Sequence, residues 1–113
     1  MIKGIGLDTV KVARIQKAID QNPRFISRVL TDLERAESVS AEYIAGRWAA
    51  KEALAKAMGL VSFQSVSILS RSNGQKHKPE LIWHQEQPDG QVWISISHEE
   101  DLAMAQAIHE AHR

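Results

Sequence analysis

The stretch SAEYIAGRWAAKEALAKAMG, residues 40–59, decides how the rest of the chain is read. Ser40 is a good helix N-cap, the run Ala41 to Met58 is rich in alanine and other strong helix formers, and Gly59 is the residue expected just past a helix end. The reading is one long helix over 41–58. On a helical wheel of about 100° per residue, Glu52 falls between Trp48 and Ala45, with Ala49 close by. Burying an unpaired carboxylate there would cost several kcal/mol, so Glu52 needs either a cation or an opening to solvent. A metal ion would satisfy it. Lys56, four residues on, allows two readings: a helix salt bridge contributing about 0.3–0.5 kcal/mol, or a carboxylate and a lysine held on one face as a phosphate site.

Upstream of this helix, Met1 to Leu7 is short, apolar and interrupted by Gly4 and Gly6, as in a strand that another backbone or a ligand approaches closely. Counting by twos, Ile2, Gly4, Gly6 and Asp8 share one face, which puts the carboxylate at the strand's end beside the space the glycines leave. Asp8 or Thr9 can cap the following helix, where Val12, Ile15 and Ile19 recur at helical spacing and Lys11, Arg14 and Lys17 form a basic face. Asn22-Pro23 breaks that helix. Arg24 to Leu30 is a brief helical segment with Phe25 and Val29 at i, i+4, and Thr31 with Glu34 forms a capping box for another.

Downstream of Gly59 the period changes from helical to alternating: Val66 and Ile68, then Leu81 and Trp83, then Val92, Ile94 and Ile96. Asn73-Gly74 and Asp89-Gly90 supply turns between these runs, predicting an antiparallel meander. The tail from Leu102 to Ile108 fits either state, because its alanines favour helix while Leu102, Met104 and Ile108 alternate. With no internal repeat or linker, residues 1–113 read as a single small α+β domain: an N-terminal strand, helices including one long one, then strands.

The 113 residues, 43% hydrophobic and 25% charged, are ordinary for a globular protein. No apolar run is long enough for a membrane span and no secretory leader is visible, so a cytoplasmic location without a membrane partner is the expectation. The absence of cysteine excludes thiolate ligands and leaves oxygen and imidazole as metal donors, which favours hard cations such as magnesium. The net charge of zero hides an asymmetry: residues 1–30 carry six basic and two acidic side chains, and the remainder carries the balancing acidic excess. An acidic macromolecule would be steered to the first segment. Nucleic acid fits poorly, because Phe25 is the only aromatic there.

Each of these features has an ordinary explanation by itself. Aspartate before a helix is usually a cap, a histidine such as His98 at the end of an alternating run usually belongs to a core or an edge, and a basic helix face is usually just solvated. Together they carry a resemblance. Gly4-Ile5-Gly6-Leu7-Asp8 followed by Arg14, Arg24-Phe25 through Arg28-Val29-Leu30-Thr31 with Glu34, the run from Gly46 through Gly59, and Ile94-Ser95-Ile96-Ser97-His98 are similar in order and spacing to holo-acyl-carrier-protein synthases of the 4′-phosphopantetheinyl transferase superfamily.

The resemblance implies transfer of the 4′-phosphopantetheine group of coenzyme A to a serine of apo acyl carrier protein, in support of fatty acid biosynthesis, with release of adenosine 3′,5′-bisphosphate. It implies a magnesium ion held by Asp8 and Glu52, with Asp8, Glu52 and Lys56 as the catalytic set. Arg47, Lys51, Lys56, Gly59, Ser97 and His98 would hold coenzyme A, His98 from a neighbouring subunit of a homotrimer. Arg14, Arg24, Phe25 and Arg28 would dock the acidic carrier protein. The base that deprotonates the serine stays open between Asp8, Glu52 and a water relay. Two departures stand out. Gly59-Leu60-Val61 leads almost at once to Phe63, where relatives have a longer glycine-containing loop, and Glu99-Glu100-Asp101 follows His98 with acid in place of hydroxyls, which disfavours an anionic ligand. The competing reading is a non-catalytic oligomeric module that docks an acidic protein.

Overall fold

The computed structural model describes residues 1–59, 62–70 and 78–112. In it the long helix, Ala41–Met58, is the fourth in chain order (α4). The Ser40 hydroxyl accepts the Tyr43 N–H at 3.1 Å. At the other end Gly59 takes a left-handed φ of 73° and its N–H reaches the Ala55 carbonyl, as the sequence predicts. Side chains on nearly every side of α4 are buried, including Ile44, Ala45, Ala49, Ala50, Ala53, Leu54 and Ala57. A helix enclosed this way needs small residues where backbones press in, and the alanines supply them.

The closest press comes from the first strand, β1 (Ile2–Lys11). A Cβ at Gly4 would lie 1.8 Å from the Ala57 carbonyl oxygen, and one at Gly6 would lie 1.8 Å from that of Ala53. Two residues of strand advance about as far as four of helix, roughly 6.8 against 6.0 Å, so the two elements keep step. The next inward position, Asp8, therefore falls a further turn toward the start of α4. Ile2 leaves this face, because the register with the last strand shifts between Ile2 and Gly4.

β1 is longer than the expected strand over residues 1–7, and neither Asp8 nor Thr9 caps a helix. Antiparallel pairing with β5 (Leu102–Glu110) continues to Lys11↔Leu102 and keeps both residues extended. The first helix, α1 (Val12–Gln21), has Lys11 at its N-cap and no side-chain cap. The Asp101 carbonyl accepts the Val12 N–H instead, at 2.7 Å. A tertiary contact has taken the place of a local one.

Two short helices, α2 (Arg24–Val29) and α3 (Asp32–Glu37), follow, and the Thr31–Glu34 capping box forms as expected. A 3₁₀ turn at Phe63–Ser65 leads to β2 (Val66–Leu69), which among the described residues pairs only with β3 (Glu80–Trp83). β4 (Gln91–Glu99) pairs with β5, giving a three-stranded sheet in the order β1-β5-β4. The alternating segments thus form two antiparallel hairpins in separate sheets, and the ambiguous tail is a strand. The Asn73-Gly74 turn lies outside the described residues. The inner face of the larger sheet, with Ala103, Ala105 and Ala107 buried, lies on α4. Among the described residues no helix is long and apolar enough to cross a membrane.

The β1–α4 approach generates a prediction. Gly6→Ala forces a methyl into a backbone carbonyl that no rotamer change can relieve, so it should destabilise the fold by about 1–3 kcal/mol or more. Ala53→Gly, which leaves that carbonyl in place, should not rescue it. Urea denaturation of the single and double variants checks both statements.

Candidate active site

Asp8 points from β1 toward the last turns of α4. Its Oδ1 lies 3.3 Å from the Lys56 ammonium, which also donates to the Leu7 carbonyl at 2.8 Å. Oδ2 is buried and has no hydrogen-bond partner. A carboxylate oxygen out of water and unpartnered is a costly arrangement that a cation would relieve. Lys56 keeps about half of its side chain in solvent. Its ammonium has three N–H groups, and two are directed at β1. Glu52, half-buried, sits one turn before Lys56 on the same helix. Asp8 and Lys56 therefore meet where the glycine track of β1 ends, with Glu52 one helical turn before Lys56.

This corner meets the requirements of magnesium. It offers carboxylate oxygens only, one of them orphaned, and magnesium needs one or two carboxylates, completing its shell with phosphate oxygens and water. Among the described residues no group of three or more His, Cys, Asp or Glu side chains is placed to hold a metal ion.

A second constellation lies nearer the start of α4. Arg47, Ser70, Pro79, Ile96 and His98 line a cleft of about 230 Å³. Arg47 is almost wholly buried and donates through Nε to the Ile68 carbonyl and through Nη2 to Ser70 Oγ, both at 2.8 Å. Its guanidinium lies 3.9 Å from the centre of the Tyr43 ring, and Nη2 is 3.6 Å from Glu37. Burial is the main reason the Tyr43 phenol is pushed well above its ordinary range; nearby Arg47 opposes this, and the bond to Glu37 adds to it. His98 Nε2 is 3.1 Å from the Glu42 carbonyl, and its ring closes over Gly46. Ser97 precedes it on the opposite face of β4 and is exposed. The register places Asp8 opposite Ala105 and Ile96, and His98 opposite Ala103. Two strand spacings and two residues separate Asp8 from His98, about 12 Å between backbones. Within one chain the two constellations do not meet.

Lys51 corrects the expectation that it adds charge to a coenzyme site. It is fully buried, and its ammonium donates to Glu34 Oε1 at 2.6 Å and to the carbonyls of Val29 and Phe63 at 2.8 Å each. All three N–H groups are used within the core. Burial lowers its pKa, and Glu34 opposes that shift. Glu34 is equally buried; Oε1 also accepts the Thr31 N–H and Oε2 accepts the Ile68 N–H. The capping box announced Glu34, but nothing in the spacing announced that Lys51, 17 residues away, would neutralise it.

The expected docking residues divide. Arg14, Arg24 and Arg28 are exposed. Phe25 is half-buried against the core, its ring centroid 5.6 Å from that of Trp48, which in turn meets Phe63 edge-on at 5.3 Å. It serves the core more than it offers an apolar anchor. Gly59 ends α4, and the adjoining Leu60 and Val61 of the shortened loop lie outside the described residues.

The 4′-phosphopantetheinyl transferase superfamily matches residues 4–107. A holo-acyl-carrier-protein synthase of Anoxybacillus flavithermus is 43% identical, the match covering 97% of each chain. Among solved structures, a holo-ACP synthase of Plasmodium yoelii superposes with a TM-score of 0.86 at 31% identity, over 100% of this chain and 98% of the other. A holo-acyl-carrier-protein synthase of Bacillus anthracis, solved in complex with CoA (3′,5′-ADP), superposes with a TM-score of 0.82 at 37% identity, over 99% of each.

Removing one member of the buried pair should cost more than removing both. Lys51→Met alone should destabilise the fold by about 3–5 kcal/mol, because it strands the Glu34 carboxylate. Lys51→Met with Glu34→Gln should recover part of that loss. Additive losses in a double-mutant cycle, read by urea denaturation, would show that the two charges do not depend on each other.

Proposed function

This chain belongs to the holo-acyl-carrier-protein synthases of the 4′-phosphopantetheinyl transferase superfamily, and from that premise we propose that it moves the 4′-phosphopantetheine group of coenzyme A onto a serine of apo acyl carrier protein and releases adenosine 3′,5′-bisphosphate. The observation that carries the reading is the orphaned Asp8 Oδ2 beside the Lys56 ammonium, at the end of a strand that side chains do not obstruct. Asp8 and Glu52 would hold a magnesium ion, and the chemistry such an ion would supply is positive charge to offset the negative charge that develops on the phosphate.

The remaining roles belong to the chain's own groups. Lys56, fixed at two N–H positions by Leu7 and Asp8, turns its third to a phosphate oxygen and favours departure of the nucleotide. Arg47 and His98 line the cleft that receives the phosphate-bearing end of coenzyme A, whereas Ser97, on the opposite face of β4, would reach the ligand only from outside this cleft. Because this cleft and the Asp8 corner are separate within one chain, a working site pairs the corner of one subunit with the cleft of another. We take that assembly to be the homotrimer, with sites at its junctions, that the family resemblance implies. It is supported by the outer face of the larger sheet, where Ile5, Ile108 and Trp93 stand in one cross-strand row beside Leu7. Ile5, Leu7 and Trp93 are each 44–60% exposed there, an apolar patch that association would cover.

The acidic carrier protein meets α1 and α2, whose exposed Arg14, Arg24 and Arg28 supply opposite charge. Lys51 has no part in binding: it holds α4 to α3 and to the chain entering β2. The enzyme acts in the cytoplasm and provides carrier protein for fatty acid synthesis.

Incubation with apo carrier protein, coenzyme A and magnesium should add one phosphopantetheine group to the carrier by mass spectrometry, and chelation should stop it. No gain in mass under any metal would favour a non-catalytic docking module. Glu52→Gln should fold normally and lower the transfer rate on the order of 100-fold or more. Parent-like activity in that variant would remove Glu52 from the metal site. Arg14→Ala should raise the KM for carrier about 2- to 5-fold, the range of one exposed ion pair, and leave kcat and the KM for coenzyme A unchanged. An unaltered carrier KM would place docking elsewhere.

A further inference from the structure

Arg47 reaches the cleft already immobilised, and one of the groups that hold it, Tyr43, lies outside the cleft lining. The Tyr43 ring lies beneath the guanidinium at 3.9 Å. The Tyr43 hydroxyl donates to Glu37 Oε1 at 2.8 Å. The Glu37 carboxylate accepts the Ser70 N–H at 3.0 and 3.2 Å, and Ser70 Oγ accepts from Arg47 Nη2. Tyr43, Glu37, Ser70 and Arg47 thus close a ring of contacts around one planar cation. Nε and Nη2 are engaged by Ile68 and Ser70, so the guanidinium can meet a ligand only along the remaining edge.

We propose that Tyr43 is a positioning residue: stacked under Arg47 and tied through its hydroxyl to Glu37, it holds the guanidinium in the orientation that binds a phosphate group in the Arg47–Ser70–His98 cleft. The inference rests on the reading that this cleft receives coenzyme A. An arginine that must be ordered by its ligand loses about 0.5–1.5 kcal/mol of rotamer freedom on binding, whereas an arginine held in advance loses little. The ring supplies that restraint through its contact with the guanidinium. It also supplies it without charge, because burial keeps the phenol protonated and donating to Glu37.

The test is the affinity for adenosine 3′,5′-bisphosphate by isothermal titration calorimetry, with steady-state kinetics on the same proteins. Tyr43→Leu should raise the Kd for the nucleotide and the KM for coenzyme A about 2- to 12-fold, the equivalent of one released side chain. Its kcat should stay within about twofold and its KM for carrier should not move. Tyr43→Trp, which restores a ring under the guanidinium, should recover most of the affinity. If Tyr43→Leu does not fold, Tyr43→Met carries the same comparison. Arg47→Lys separates the two possible failures. If it weakens nucleotide binding while the Tyr43 variants bind like the parent, the positioning role is wrong and the cleft assignment stands. If Arg47→Lys also binds like the parent, the cleft assignment is wrong and the inference falls with it. Equal losses in kcat and in both KM values in the Tyr43 variants would mark a general structural defect and would overturn the proposal.

Discussion

Direct contact between the backbone of β1 and the carbonyls of α4 is the constraint from which the rest of the molecule follows. Gly4 and Gly6 lie against Ala57 and Ala53 so closely that no side chain fits between them. With the strand seated there, the first inward side chain after the glycines is Asp8, and the helix turn it meets presents Lys56 and Glu52. A carboxylate from residue 8 and a lysine from residue 56 are thereby brought together without any loop having to be ordered. Sites built on such rigid elements keep their geometry more accurately than sites carried on loops. The same seating explains the alanines of β5. Ala103, Ala105 and Ala107 are buried beside β1 on the same helix, where larger residues would lift the whole sheet off α4.

Charge inside the fold serves a different end. β2 pairs on one edge with β3. On the other side, Glu34 accepts the Ile68 N–H, Arg47 donates to the Ile68 carbonyl and Glu37 accepts the Ser70 N–H. Three side chains from α3 and α4 thus do for this edge what a neighbouring strand would do, and leave fewer backbone groups open to pairing with another chain. The arrangement needs anions and cations in the same small volume, which is why Lys51 is buried against Glu34 and why Arg47 stands beside Glu37. Arg47 therefore has two duties, closing the edge of β2 and facing the cleft. A substitution there would disturb both, so its effects on binding are interpretable only alongside the Tyr43 variants.

Local signals in the sequence were decisive where the interaction that makes an element is itself local. Ser40, Gly59 and the Thr31–Glu34 capping box place α3 and α4 correctly, because a cap is a contact over three or four residues. The end of β1 was not legible, since the strand runs on to Lys11 only because β5, some ninety residues later, pairs with it. The tail was undecidable for the same reason: alternating alanines suit a strand when a helix lies beneath them, and that helix is remote in sequence. At the site, Asp8, Glu52 and Lys56 could be picked out by their motifs, while the burial of Lys51 could not. A lysine beside a glutamate in an alanine-rich helix looks solvated until its three acceptors, from residues 29, 34 and 63, arrive from outside the helix. The contact of Phe25 with Trp48 was equally hidden, because Trp48 belongs to α4.

The division of the candidate site into two parts bears on why so small a chain would act as an assembly. The Asp8 corner lies beside the middle turns of α4 and the Arg47 cleft nearer its start, about 12 Å apart along the sheet. Enlarging the domain would bridge the gap only by adding chain. Juxtaposing the corner of one copy with the cleft of another bridges it with the surface already present, and the exposed row of Ile5, Ile108 and Trp93 provides the apolar area to hold the copies together. On this reading subunit association completes the active site as well as stabilising the fold, so dilution should weaken catalysis and stability together.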